Sequence, residues 1–248
     1  MSKVMLVTGA SRGIGAEIAK LAGRSGYKVG VNWHSSADAA RAVVDDIRAA
    51  GGEAVALQAD VGRSDQVQRM FGELDAQYGA PDVLVNNAGV TASFRVEEVD
   101  EERLETLLRA NVYSVFFCAR EAVQRMSTRH GGRGGAIVNI SSVASRLGGR
   151  VGGSAYAASK GAVDIFTMTL AKEVGAEGIR VNALRPGLIA TDIHAVHGGL
   201  AAMEKLAQTA VPMGRSGAPA EIAAAALWLA SDAASYVHGA ILDVSGGR

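Results

Sequence analysis

The chain has 248 residues, with 25 basic and 25 acidic side chains, 48% hydrophobic content and one cysteine, enough apolar material for a full core. A net charge of zero argues against a nucleic-acid or membrane-surface binder that works by bulk electrostatics. The longest apolar run, Ile222 to Ala230, is too short to cross a bilayer, Met1-Ser-Lys-Val4 lacks the apolar stretch of a signal peptide, and lone Cys118 has no disulfide partner, so a cytoplasmic protein is expected.

Short β-branched runs recur at Val4 to Thr8, Lys28 to Asn32, Ala54 to Gln58, Asp82 to Asn86, Ala136 to Ile140, Arg180 to Leu184 and Ala240 to Val244. A helical stretch follows each of the first six. Near-continuous apolar strands alternating with helices suit a parallel sheet covered on both faces. The pattern predicts an α/β chain: one Rossmann-like, doubly wound sheet of about seven parallel strands, forming a single domain over residues 1–248. No linker composition or repeat of 20 to 50 residues interrupts it.

The first strand runs into Thr8-Gly9-Ala10-Ser11-Arg12-Gly13-Ile14-Gly15 and then a helix with apolar Ile14, Ile18, Leu21 and Ala22. Strand, glycine turn and helix form the setting of a dinucleotide fingerprint, although the spacing differs from GxGxxG. Gly9 allows a sharp exit from the strand, Gly13 lets backbone N–H groups approach a pyrophosphate, and Gly15 lets the helix pack closely. The helix N-terminus then presents partial positive charge to the phosphates. A tight βα turn without a ligand is the alternative.

The second strand ends at Asn32-Trp33-His34-Ser35, where an NAD site would place an acid on the ribose 2′-hydroxyl. Asp38 is the nearest acid, and Ser35-Ser-Ala-Asp38 has capping-box spacing, which assigns Asp38 to the next helix. Arg12, His34 and Ser35 offer donors to a 2′-phosphate, so NADP(H) is the expected cofactor, with NAD(H) admissible.

On a helix expected over 101–127, Leu104, Leu108, Val115 and Ala119 mark a buried face that includes Asn111, with Cys118 beside it as a core thiol. Buried amides need partners, and Asn111 fits either a site residue or an amide satisfied by nearby backbone. Residues 128–135, basic and glycine-rich, read as a solvated turn. Ser142 follows the fifth strand at the carboxyl edge of the sheet, where doubly wound folds bind ligands.

Tyr156 and Lys160 lie one helical turn apart on a stripe with Val163, Thr167, Leu170 and Val174, so the lysine faces inward. An inward lysine requires a partner or a task. A phenol that titrates near 10 needs about 4 kcal/mol to act near neutrality. A cation about 5 Å away contributes about 3 kcal/mol at an effective dielectric of 20, so Lys160 is expected to supply most of the shift. The opposite face carries Ala158, Ala162, Ile165 and Thr169, which predicts burial against another subunit. Residues 187–217 are long for a connection and read as a lid, with His194, His197, Leu200, Met203 and Met213 as substrate-facing candidates. Asp192, His194 and His197 have the residue types of a metal site but an unsuitable loop spacing, so no metal is expected.

Taken in order, Thr8-Gly9-x-x-x-Gly13-x-Gly15, Asn86-Asn87-Ala88-Gly89, Asn111, Ser142, Tyr156-x-x-x-Lys160 and Pro186-Gly187 resemble the motifs of the short-chain dehydrogenase/reductase family across essentially the whole chain. The resemblance implies an NAD(P)-dependent enzyme that interconverts a small-molecule carbonyl and an alcohol. Tyr156 would be the acid/base and Ser142 would bind the substrate oxygen. Lys160 would lower the tyrosine pKa and hold the nicotinamide ribose, with Asn111 positioning a water. Asp60 and Val61 would contact adenine, Asn87, Ala88 and Gly89 would line the cleft, and Ile189 and Thr191 would meet the nicotinamide amide. It also implies a homotetramer or homodimer. Within the family the chain is similar to the branch of 3-oxoacyl-[acyl-carrier-protein] reductases and glucose dehydrogenases, although Glu177 departs from the basic entrance of the carrier-protein enzymes. A non-catalytic NADP sensor on the same fold is the alternative of a different class.

Overall fold

The computed structural model describes residues 2–191 and 199–248. The elements run β1 (Val4–Val7), α1 (Gly13–Arg24), β2 (Lys28–Trp33), α2 (Ala37–Ala49), β3 (Glu53–Gln58), α3 (Ser64–Tyr78) and β4 (Val83–Asn86). They continue with α4 (Glu101–Leu108), α5 (Ser114–Met126), β5 (Gly135–Ile140), α6 (Ala144–Leu147), α7 (Ser154–Val174), β6 (Ile179–Pro186), α8 (Gly199–Ala210), α9 (Pro219–Ala230) and β7 (Ile241–Val244).

The seven strands form one sheet in the order β3-β2-β1-β4-β5-β6-β7, and every pairing is parallel. Successive residues of a strand face opposite sides, so one strand feeds two cores. Met5 and Val7 join Ile18, Val29, Val43 and Ile222 beneath α1, α2 and α9. Val4 and Leu6 join Phe71, Leu74, Leu84 and Ile137 beneath α3, α5 and α7. Both faces are covered, which is why the strands read as unbroken apolar runs.

The chain moves outward from β1 through β2 to β3, then returns to pair β4 on the other side of β1. The segments leaving β1 and β4 therefore part in opposite directions and open a crevice at their carboxyl ends. That switch point is the reason the glycine turn and Asn86-Asn87-Ala88-Gly89 meet.

Two local expectations are corrected. The helix over 101–127 is interrupted by a π turn at Arg109–Tyr113, where the extra residue shifts the buried face by one position in sequence. Leu107 is the buried leucine, whereas Leu104 and Leu108 are half-buried. Ser36, not Ser35, precedes the first turn of α2 without a side-chain cap, and Asp38 pairs with Arg41 instead of closing a capping box. The basic glycine segment is the expected exposed turn over residues 128–133, and it docks at its end through Gly134 and Gly135. A Cβ on Gly134 would lie 2.4 Å from the Gly178 carbonyl oxygen, and one on Gly135 would lie 2.3 Å from that of Asp82.

Candidate active site

The glycine turn is built by two neighbours. Gly9 has φ +60° and a Cβ there would lie 2.9 Å from Ala88 Cα, so no other residue fits without displacing backbone. Asn87 donates its amide to the carbonyls of Thr8 and Gly9 at 2.9 and 3.0 Å. Thr8 Oγ1 accepts from the backbone N–H groups of Asn87 and Ala88, both at 3.0 Å. From the other side Asn32 Oδ1 accepts the Gly9 N–H at 3.0 Å. Its Nδ2 donates to Leu57 and Ala59 carbonyls, both at 3.2 Å, so buried Asn32 braces the turn from behind rather than lining the cleft.

Arg12 stands at the N-cap of α1, makes no side-chain cap, and the first turn holds no acid. Helix geometry leaves the N–H groups of that first turn without partners inside the helix. An anion is therefore the natural occupant, and Gly13, with φ +58°, keeps the approach free of a side chain. These features fit the pyrophosphate of a dinucleotide. Ser11 and Ile14 flank the turn, while Arg12, His34 and Ser35 are exposed on the side where β2 ends. Asp60 accepts the Gly62 N–H at 2.9 Å and shapes the bend after β3, beside buried Val61.

The far wall comes from the segment after β6. The Pro186 carbonyl accepts from Val143 N–H at 3.1 Å, and Gly187 N–H donates to Val244 at 3.0 Å. Gly187 has no room for a Cβ, which would lie 2.8 Å from Ser245 Cα. Ile189 is buried and bridges to Gly217, and Thr191 approaches the position of a Gly13 Cβ at 3.4 Å. The glycine turn and Thr191 thus face one another across the crevice.

Between these walls the candidate catalytic side chains converge. Ser142 lies after β5, where its hydroxyl accepts the Ala144 N–H at 3.1 Å and hydrogen-bonds Tyr156. Lys160 is 5% exposed and donates to the Ile140 carbonyl at 2.9 Å. Gly89 sits beside both remaining members: a Cβ there would lie 3.1 Å from Asn111 Oδ1 and 3.4 Å from Lys160 Nζ. Asn111 is fully buried at the π turn. Its Oδ1 accepts from Val90 N–H at 2.8 Å, and its Nδ2 donates to the Val90 carbonyl and Ser159 Oγ, each at 3.0 Å. The amide is therefore satisfied by the loop after β4 and by α7, and it clamps them together.

The electrostatics correct one expectation. Burial pushes the Tyr156 phenol above its ordinary value, and the Ser142 hydrogen bond offsets this only in part. Burial also draws the Lys160 ammonium down to about 8, against the charge of Asp164, which favours the protonated form. Desolvation outweighs charge pairing in this closed pocket, and the ammonium is tied to Ile140, so Lys160 does not supply the expected shift in the free protein.

A family model described as Enoyl-(Acyl carrier protein) reductase matches residues 9–248. The uncharacterized oxidoreductase YgfF of Escherichia coli is 47% identical over 246 residues, 99% of this chain and 99% of that one. The 3-oxoacyl-[acyl-carrier-protein] reductase FabG of Staphylococcus epidermidis is 39% identical over 247 residues, 100% of this chain and 99% of that one. An uncharacterized oxidoreductase of Methylorubrum extorquens is 42% identical over 250 residues, 99% of this chain and 97% of its own. The chain belongs to the short-chain dehydrogenase/reductase family.

As a short-chain dehydrogenase/reductase it is an oxidoreductase of CH–OH donors that uses a nicotinamide nucleotide. In this dehydrogenase/reductase, sequence reasoning missed Thr8 as the acceptor that joins the β1 and β4 segments; a hydroxyl at the last position before a glycine turn was its signal. It also missed buried Asp164, which lies four residues after Lys160 on the same inward stripe. Asp192, His194 and His197 lie outside the described residues. Among the substrate-facing candidates that are described, Met203 is buried, whereas Leu200 and Met213 are exposed.

Proposed function

We propose that the protein is an NADP(H)-dependent oxidoreductase that interconverts a carbonyl and an alcohol, with Tyr156 as the proton donor and acceptor. The observation that carries this reading is the convergence of Ser142, Tyr156 and Lys160 on the crevice faced by the glycine turn. The bound nicotinamide supplies the hydride or accepts it. Ser142, oriented by the Ala144 N–H, hydrogen-bonds the substrate oxygen and keeps it beside the phenol. Tyr156 gives its proton to that oxygen in reduction and takes it back in oxidation. Lys160 holds its ammonium against the Ile140 carbonyl, from where it would hold the nicotinamide ribose and, with the cofactor bound, would favour the phenolate as the proton leaves. Asn111 keeps the loop after β4 closed on α7 and orients water of the proton relay. The chain forms one nucleotide-binding domain, and the expected lid over residues 187–217 would cover its site; residues 192–198 of that lid lie outside the described residues.

The NADP(H) preference rests on exposed Arg12 in the glycine turn and on exposed His34 and Ser35 at the end of β2, a place without a carboxylate to accept the NAD ribose hydroxyls. The outer side of α5 and α7 supports association. Ile165 is 61% exposed, Phe116 is 48% exposed, and the Phe116 ring lies tilted against Phe166 with centroids 4.2 Å apart. A homotetramer is the assembly proposed, and a monomeric mass by light scattering would remove it. The relatives named FabG favour a 3-oxoacyl thioester as a second substrate reading. Arg129, however, lies 3.7 Å from Glu177 and is thereby engaged within the chain.

The test is NADPH and NADH oxidation with ketones, aldehydes, quinones and 3-oxoacyl thioesters, in wild type and Tyr156→Phe. Turnover with a lower KM for NADPH, abolished in the variant, is expected. Full activity in Tyr156→Phe refutes the assigned proton donor, and a lower KM for NADH refutes the cofactor preference. Tight NADPH binding without turnover on any substrate favours a sensor.

A further inference from the structure

One turn beyond Lys160 on α7, Asp164 is buried with 5% of its side chain exposed. Arg185 of β6 donates to it through Nε at 2.9 Å and NH2 at 2.8 Å, and both bonds fall on Oδ2. Oδ1 is buried and has no hydrogen-bond partner among the described residues. The guanidinium is itself held by Asp243 of β7 at 3.5 Å, and Asp243 is held by Arg146 of α6 at 3.1 Å. A buried carboxylate with one oxygen unanswered is costly in a structural ion pair, because desolvation is met on one side only. Its field extends into the low-dielectric interior, toward the next charge on the same stripe. That charge is Lys160.

We propose that Asp164, clamped by Arg185, is a positioning residue that keeps the Lys160 ammonium charged and thereby sets the alkaline limit of the reaction. The inference rests on the role assigned to Lys160 above. Burial draws the lysine toward neutrality, and Asp164 is the charge that opposes this. The other groups around Lys160 are neutral: the Ile140 carbonyl at the end of β5, Ser141 just after it, Asn111 from the π turn, and Gly89 after β4. Tyr156 shares its helix. Glu105 of α4 is paired with Arg109 at 2.7 Å. Arg185, Asp243 and Arg146 engage the far side of the carboxylate.

The experiment is the pH profile of kcat/KM for carbonyl reduction, with melting temperature as a control, in wild type, Asp164→Asn and the double variant Asp164→Leu/Arg185→Met. The double variant removes both charges, so no guanidinium remains buried without its partner, and such replacements are often tolerated. The alkaline limb is expected to move to lower pH by about one unit in Asp164→Asn, because an opposite charge is lost, and by less in the double variant, where loss of the more distant guanidinium offsets part of the effect. Asp164→Glu should retain the wild-type limb even where it melts earlier. An unchanged limb in the folded double variant overturns the proposal. Lys160→Met separates the two levels: full activity in that variant removes the role of Lys160 itself, whereas an inactive Lys160→Met with an unmoved limb in the Asp164 variants removes only the present inference.

Discussion

The side chain of Asn87 donates to the Gly9 carbonyl at 3.0 Å, so the strand beyond the switch point supports the glycine turn of the strand before it. Thr8 receives the same amide at 2.9 Å. Asn87→Ala leaves both carbonyls without that donor, and an unsatisfied buried acceptor costs about 1 to 3 kcal/mol. Chemical denaturation should show a loss of that order, and fluorescence titration should show weaker NADPH binding. Stability equal to wild type would mean that water replaces the amide without cost.

Gly15 is the sharper test of the cradle. A Cβ there would lie 2.4 Å from Asn87 Nδ2 and 2.5 Å from the Gly9 oxygen, distances that force backbone to move. Gly15→Ala should weaken NADPH binding by about tenfold or more, equivalent to about 1.4 kcal/mol. Retained affinity by calorimetry would show that the turn can relax.

These glycines were legible in the sequence, because a turn between an apolar strand and an amphipathic helix has few other uses for three closely spaced glycines. The seven strands were legible for a related reason, since residues such as Met5 and Leu6 are both buried and leave no polar alternation to misread. What sequence could not carry is long-range hydrogen bonding. Asn32 looks like a cleft residue in one dimension, yet its amide reaches carbonyls 25 and 27 residues away and turns inward. Asp164 was hidden because its partner Arg185 is 21 residues distant, on another layer.

The buried lysine makes a stability prediction with a definite sign. Its folded-state value is about 8 against 10.5 when solvated, so between these pH values the unfolded chain binds the extra proton. Wild-type stability then rises with pH across the window from about 8 to 10.5, whereas Lys160→Met lacks this contribution. Relative to the variant, wild type should gain up to about 3 kcal/mol over that range. Urea denaturation at several pH values measures the difference, and parallel curves would contradict the burial of the ammonium.

Cys118 should be chemically silent. Its thiol is fully buried, and desolvation together with nearby Glu121 pushes its pKa far above the ordinary value. A disulfide reagent at neutral pH should titrate no thiol in the native protein and one after unfolding. Rapid native labelling would show that the core beneath α5 opens readily.

The π turn at Arg109–Tyr113 has a consequence for how this segment tolerates change in length. A π turn holds one residue more than the α turn it replaces, and the turns on either side keep their facing because each residue within it advances less than the about 100° of an α-helix. Removing a single residue there would restore an unbroken α-helix and leave Val115, Cys118, Ala119 and Ala122 on the sheet. The irregular turn therefore acts as a slack link: a one-residue deletion would be absorbed here, whereas the same deletion within regular α5 would swing everything downstream by about 100°.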